Sequence, residues 1–473
     1  MIKNLITKNF LIYSLPNALS RLVNFIVLPI TTAYLTLADF GYIAIFQLCV
    51  IPFRVATEFG VGYIINSNWF NFDLKQRREL IFSILIVGLI LSFFLGFILW
   101  IFLDSIFSII AGDSWSVIRP LSLYLFIHIV TLIPNPIFDL WAIIEQKAIL
   151  NSIIRVIEII FNSLTIVLLA IYTQDFELII IGTVAVGFFI SIIKYYFIIK
   201  ISDYKFKPYY FKLIFRIGSP IFFRSIFRYV RSRFDSVMIN RYLGSSSMAI
   251  YNFAARFNQI FEDITTNFSN AYNPIMYRGL SKGDLDIHSM RKYFFSWAYF
   301  CLMFNIVLIM FGEPIIKILT NNLFIEAYPL VVLNTTILAL TILLMGTDEV
   351  LIFKQETPFI FKITILQAIV IAVFGFLLIP KYGSVAAIFS LWMGSITRAI
   401  ASYLKRKNIY EFSFAENIVF PYVLAFHIIV LLAYFSFNFE RTILIIFFVL
   451  TMTSHFILLN KQLLKSKLIN WVK

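Results

Sequence analysis

Apolar residues run along this chain in blocks of roughly 20, separated by short polar or basic stretches such as NFDLKQRRE and ISDYKFKPYYFK. Blocks of that length match the hydrocarbon thickness of a bilayer. A helix crosses lipid with its backbone hydrogen bonds satisfied inside the segment. Reading the blocks against their breakers predicts spans near 10–37, 41–66, 80–103, 119–143, 148–172, 177–199, 213–242, 248–275, 293–312, 327–348, 358–379, 383–404, 417–437 and 442–460. The alternating segments of about ten residues that a membrane β-barrel needs are absent. The expected fold class is all-α, a polytopic membrane protein of about 14 transmembrane helices.

Composition agrees: 60% of the residues are hydrophobic, 18% aromatic and only 14% charged, against about a quarter charged in soluble domains. Cys49 and Cys301 lie inside apolar blocks and read as small core residues. The N-terminal MIKNLITKNFLIYSLPN carries no small-residue cleavage site and reads as the start of a retained first span.

The net charge of +14 raises the question of nucleic acid, and topology answers it. The N-terminal arm, the connections after even-numbered spans and the C-terminal tail hold 24 Lys and Arg, and the connections after odd-numbered spans hold 4. By the positive-inside rule both termini face the cytoplasm, with membrane lipids as the partners of the basic surface. No nucleic-acid partner is expected. No connection on the outer side exceeds about 15 residues, so no extramembrane domain is expected to house soluble chemistry. The histidines His128, His288, His427 and His455 are scattered, and no spacing suggests a metal site, a phosphate loop or a dinucleotide fold. The chain is expected not to be an enzyme and to need no cofactor.

The remaining 11 basic residues lie inside spans. Lys194 and Arg241, near span ends, are expected to snorkel. Arg54 with Glu58, and Arg155 with Glu158, have the spacing of helical ion pairs. The seventh span, PIFFRSIFRYVRSRFDSVMINRYL, resists such an account. Arg224, Arg228 and Arg231 fall at i, i+4 and i+7 on one helix face, with Asp235 returning to it at i+11. Each arginine at mid-bilayer costs about 2.5–3.5 kcal/mol on insertion scales, so the stripe must face protein or a wet cavity. Two readings follow: a buried network with carboxylates such as Glu58, Asp139, Glu158, Glu262 or Asp263, or a cationic cavity that holds an anion. The planar guanidinium, always charged and bidentate toward phosphate, suits the second.

The halves of the chain echo one another. SLPNALSRLVNFIVLPITTAYLTLADFGYIAIF lies against GSPIFFRSIFRYVRSRFDSVMINRYLGSSSMAIYNFA, with Pro16 matching Pro220, and Tyr34-Leu35 matching Tyr242-Leu243. Six plus six spans about a central site is a transporter pattern. The expected division is an N-lobe over 1–200, a C-lobe over 201–411 and two additional spans over 412–473.

On these residues the chain resembles a known family. The N-terminal prolines with Arg21, the junction LTLADFGYIAIF and the second-half RFDSVMINRYLGSSSMAIYNFAARF are similar to the polysaccharide biosynthesis (Wzx-type) flippases of the multidrug/oligosaccharidyl-lipid/polysaccharide (MOP) exporter superfamily. The resemblance implies two six-helix lobes around a cavity that opens alternately to each side of the bacterial inner membrane. It implies a cargo of undecaprenyl-diphosphate-linked oligosaccharide, an O-antigen or similar repeat unit, with a polysaccharide polymerase and chain-length regulator as further partners. The expected anion-binding residues are Arg21, Arg224, Arg228, Arg231, Arg256 and Arg398. Glu58, Asp235, Glu262 and Asp263 are expected to supply counter-charge or to take a coupling H⁺ or Na⁺. Two rivals stand beside this reading. A membrane polysaccharide polymerase or ligase would handle the same lipid, and usually carries a large outer loop with basic residues. A multidrug antiporter of the same superfamily binds cations in acidic pockets, for which an arginine stripe has the wrong sign.

Overall fold

A computed structural model of the chain describes residues 16, 19–20, 22–145, 147–282, 287–342, 347–354, 356–407, 416–435, 445–446, 449–450, 452–454 and 456. The described residues are helical with short connections and no strand. In chain order the helices are α1 (Leu22–Thr31), α2 (Leu37–Glu58), α3 (Val61–Asn68), α4 (Leu74–Ile101), α5 (Leu103–Ala111), α6 (Trp115–Ile118), α7 (Ser122–Leu132), α8 (Pro134–Ile144), α9 (Ala148–Tyr172), α10 (Phe176–Ile201), α11 (Pro208–Lys282), α12 (Ile287–Thr320), α13 (Tyr328–Ile342), α14 (Thr347–Phe353), α15 (Thr357–Tyr382), α16 (Ser384–Lys407) and α17 (Glu416–Phe435). Among them are seven stretches long and apolar enough to cross a membrane and four shorter apolar helices. The protein is an all-α, multi-pass membrane protein. The expected last span, 442–460, lies largely outside the described residues.

Local chemistry sets the helix ends. Thr36 and Asp39 form a capping box at the start of α2, and Asp73 and Gln76 form another at the start of α4, each satisfying backbone donors the first turn would leave orphaned. Three expected spans differ from a plain helix. The second is broken after Glu58, where Phe59 and Gly60 take positive φ of 21° and 72°. The fourth is interrupted between α7 and α8, because Pro134 has no N–H to donate to the preceding turn, although Ile133 before it keeps helical angles of φ −60° and ψ −48°. The connection after the third span is itself helical, as α5 and α6. Its Asp104 accepts from Trp115 Nε1 at 2.9 Å and from Arg119 Nε and Nη2 at 2.8 and 2.9 Å. Within α11, Gly244 at φ 84° separates residues 208–243, which contain the expected seventh span 213–242, from the eighth. That break follows Tyr242-Leu243 directly, and its counterpart Tyr34-Leu35 likewise precedes a helix start. The aligned landmarks of the two halves therefore occupy equivalent structural places.

The described chain forms two compact units. The first comprises Met1–Ala249 with Ile318–Leu323, and the second Ile250–Lys317 with Phe324–Lys473. In the first, a buried apolar cluster joins Phe59 and Ile64 to Leu80 and Ile84 of α4, Phe138 and Trp141 of α8, Ile198 of α10, and Tyr210 and Leu213 of α11. At its edge the fully buried carboxylate of Glu79 accepts from Lys207 Nζ and from the Tyr210 hydroxyl, which straps the 202–207 connection to the start of α4. In the second unit, α15 and α16 pack closely where Gly394 meets Ile371. α17 docks through His427, whose Nε2 accepts from Trp392 Nε1 at 3.3 Å and whose Nδ1 lies 2.6 Å from the Val423 carbonyl.

Candidate functional site: an uncovered arginine face

In the first unit the seventh-span part of α11 runs antiparallel to α2. Gly218 lies against Phe59, and the Tyr229 hydroxyl donates to the Leu48 carbonyl at 3.3 Å. Eleven residues separate the contacts on each helix, so a step along α11 matches a step back along α2. Arg224 therefore lies at the level of Arg54, and Arg228 and Arg231 lie deeper, over about 10 Å of helix. Arg224 and Arg228 are uncovered by protein, and Arg231 is half-buried. Arg228 Nη2 donates to Ser225 Oγ at 3.1 Å. Neither Arg224 nor Arg228 meets a carboxylate among the described residues.

Asp235, which returns to this side of the helix at i+11, is buried, 6% exposed, its Oδ1 accepting from the Ser236 amide at 2.8 Å. It sits 11 residues, about 16 Å, along the axis from Arg224, too far to neutralise it. Glu58, another expected counter-charge, pairs with Arg54 at 3.0 Å, as its spacing anticipates. The pair is open, with side-chain exposures of 65% for Arg54 and 49% for Glu58. Arg54 is thus an exposed cation level with Arg224, a position that a helical ion-pair spacing alone does not reveal. The level is set by the antiparallel packing, which no local pattern carries.

Arg21 lies outside the described residues. Arg256, Glu262 and Arg398 belong to the second unit. Arg256 and Glu262 are uncovered. Arg398 is half-buried, its Nη1 3.4 Å from Thr364 Oγ1 and 3.5 Å from Gln367 Oε1. The side chain of Asp263 lies outside the described residues.

Two other expectations are corrected. Lys194 does not snorkel. Its side chain is 3% exposed, donating to Asn135 Oδ1 at 2.8 Å and lying 3.4 Å from Glu158 Oε2. Arg155 does not pair with Glu158 along its own helix. Its Nη2 meets Asp139 Oδ2 of α8 at 2.8 Å. The reason is shared: with α8, α9 and α10 packed together, pairing between helices gives each carboxylate a cation in a medium that screens poorly. Asn135, within the PNP sequence at the α7–α8 break, escaped notice because an amide in a turn-like tripeptide reads as a turn residue.

Among the described residues no group of His, Cys, Asp and Glu is placed to hold a metal. What the uncovered face offers is fixed positive charge: guanidinium groups spaced along one helix.

Solved structures share the fold that carries this face. The lipid II flippase MurJ in an inward closed conformation superposes with a TM-score of 0.76 at 14% identity, over 96% of this chain and 99% of that one. A multidrug resistance MATE family transporter of the MOP superfamily, in its inward-facing conformation, superposes with a TM-score of 0.65 at 17% identity, over 85% of this chain and 97% of that one. A MOP superfamily transporter from Pyrococcus furiosus, described as having a binding pocket of reverse polarity, gives a TM-score of 0.52 at 16% identity, over 85% and 94%. The fold is the one these solved structures share. The family itself is settled by sequence: residues 32–329, well over half of the chain, match the polysaccharide biosynthesis protein family, and the protein belongs to it. No curated protein matches the sequence.

Proposed function

We propose that this protein is a flippase that carries an undecaprenyl-diphosphate-linked oligosaccharide, a polysaccharide repeat unit, across the bacterial cytoplasmic membrane by alternating access. The observation that carries the reading is the uncovered pair Arg224 and Arg228, within a membrane-spanning helix and without carboxylate partners among the described residues. Arginines so placed raise the energy of the empty protein unless they meet water or an anion, and a diphosphate esterified at both ends supplies one negative charge per phosphorus in the geometry a guanidinium fork accepts. Arg54 pairs with an exposed Glu58 across a solvated contact, and turns from it toward the same anion. The sugar travels in the wet path and the polyprenyl tail stays in lipid. In this reading the basic side of the protein is cytoplasmic, with both termini there. Six spans on each side of the 202–207 connection form the lobes, and Arg21, Arg256 and Arg398 complete the cationic lining. Glu58, Asp235, Glu262 and Asp263 serve as counter-charge or take a coupling H⁺ or Na⁺. A polymerase and a chain-length regulator act on the delivered unit.

Against a polymerase or ligase stands the connection between the third and fourth spans, where the one arginine, Arg119, is already committed to Asp104. Against a multidrug antiporter stands the sign of the exposed charge. The test is the leaflet location of lipid-linked oligosaccharide in cells lacking the protein. Single repeat units should accumulate facing the cytoplasm, and wild type should relieve this while Arg224→Ala and Arg228→Ala should not. Units that reach the outer leaflet and stay unpolymerised would refute the flippase reading in favour of a polymerase or ligase.

A further inference from the structure

Away from the arginine face, the first unit carries a groove of about 510 Å³ between α4 and α7. One wall runs from Leu89 to Trp100 and the other from Phe126 to Ile133, with Phe93, Phe97 and Trp100 exposed along the rim. Gly96 keeps the first wall low: a Cβ there would lie 3.7 Å from Phe126, so a larger side chain fills the space. Both walls belong to stretches apolar enough to cross a membrane, so the medium that meets the groove is hydrocarbon. Its length matches one leaflet. Leu89 to Trp100 is 11 helical steps, about 16 Å, against about 15 Å for half the hydrocarbon core. Lys75, Arg77 and Arg78 lie at the start of α4, so the groove occupies the half of the span remote from the basic side. Trp100, at its mouth, is a residue type that settles where hydrocarbon meets headgroups. Just beyond, where both walls end, Asp104 and Arg119 form an exposed ion pair at 2.8 Å. One polar group lies within the groove. Ser92 is 6% exposed, and its hydroxyl has no hydrogen-bond partner among the described residues.

We infer that this groove is a phospholipid site, holding one mono-unsaturated acyl chain of a phosphoethanolamine lipid from the leaflet opposite the basic side. The inference stands apart from the transport reading. Three observations select that occupant. The groove is one leaflet long, so a chain rooted at the headgroup boundary fills it, whereas an undecaprenyl chain overruns it. The pair at the mouth offers one group of each sign, as a zwitterionic headgroup requires: Asp104 takes the Nε and Nη2 edge of Arg119, the lipid phosphate meets the Nη1 side, and the lipid ammonium meets Asp104. Ser92 lies well below the mouth, at chain depth, so its partner is a feature of the chain itself. A saturated chain gives a hydroxyl nothing, while a mid-chain double bond presents a π face to a weak O–H contact. The chain also reaches the transport helices indirectly. Phe126, in the wall, meets Phe53 of α2 edge-on at 6.2 Å, so a filled groove backs the helix that carries Arg54.

The experiment uses the full-length protein in detergent micelles with a trace of phosphatidylethanolamine whose acyl chain carries a mid-chain diazirine. After illumination, the cross-linked residues are mapped by mass spectrometry. Labels should concentrate on residues 89–100 and 126–133, well above the lipid-facing residues of α9. Val130→Trp fills the groove from its exposed rim, with little demand on folding. It should cut labelling there by about tenfold, the worth of roughly two buried methylenes, and leave labelling of α9 unchanged. Gly96→Leu fills the groove from the other wall and should do the same. Unlabelled mono-unsaturated phosphatidylethanolamine should compete about threefold better than its saturated counterpart, and Ser92→Ala should erase that preference. Labels spread evenly over α4, α7 and α9, or unchanged in both filled variants, would mean ordinary boundary lipid and no site. Displacement by a polyprenyl phosphate but not by phosphatidylethanolamine would give the groove to another chain and overturn the assignment.

Discussion

Two sets of charges lie within the spans of the first unit, and they are built on opposite plans. Between α8, α9 and α10, Arg155 meets Asp139 and Lys194 meets Glu158 and Asn135, so each cation has a carboxylate and the ensemble is neutral. The ammonium of Lys194 is almost wholly enclosed. Along α11, Arg224 and Arg228 stand uncovered and meet no carboxylate among the described residues. Matched, enclosed charge holds helices together. Unmatched, uncovered charge at the same kind of depth has no structural return, and a membrane protein keeps it only for a ligand or a water path. The contrast separates the arginines that brace from those that bind, and neither residue type nor depth alone does so.

The sharpest way to break the comparison is to unbalance the neutral set. Lys194→Met leaves Glu158 and Asn135 facing an apolar side chain, and breaking a buried pair from one side is strongly destabilising. Glu158 retains 31% exposure, so the expected loss is discounted to about 2–3 kcal/mol. It is read as a fall in thermal midpoint in detergent micelles. The double variant Lys194→Met with Glu158→Leu should recover most of it, since no charge is then stranded. A single variant as stable as wild type would mean that the enclosed pair does not brace the helices.

Much of the architecture was legible in the sequence, because the bilayer imposes a length and a composition on each span. The seventh-span face was legible too, since i, i+4, i+7 spacing survives in any helix. The pairings were not. Arg155 and Glu158 have ideal spacing on α9, yet each found its partner on a neighbouring helix, because local spacing carries no knowledge of what packs alongside. Lys194 looked free to snorkel for the same reason. The breaks at Phe59–Gly60 and before Pro134 needed backbone conformation, and the glycine contacts at residues 41 and 218 needed the partner helix.

Next in size are the arginines of the uncovered face. Removing a charged hydrogen bond to an anion costs about 1.5–3 kcal/mol, so Arg228→Ala should reduce flipping by about 10- to 100-fold. Stability should stay within about 0.5 kcal/mol of wild type, because no carboxylate among the described residues is stranded and the Ser225 hydroxyl that Arg228 releases is not buried. Arg228→Lys should recover only part of the activity, as a point charge replaces a bidentate fork. The comparison fails if Arg228→Ala unfolds the protein as Lys194→Met is expected to, since the arginine would then be a brace.

The smallest effect sharpens the boundary between the two sets. Arg54 and Glu58 form an ion pair by geometry, and by that criterion they belong with Arg155 and Asp139. Exposure places them with the uncovered face instead: 65% and 49% for the first pair against 35% and 21% for the second. A double-mutant cycle on stability should give Arg54 and Glu58 a coupling of about 0.2–0.5 kcal/mol, the worth of a solvated pair one helical turn apart. The Asp139–Arg155 cycle should exceed about 1 kcal/mol, because both groups are partly enclosed and the pair joins two helices. Equal couplings would place Arg54 among the braces and remove it from the anion's path. Unequal couplings, with Arg54→Ala slowing transport while stability holds, would extend the binding face from α11 onto α2.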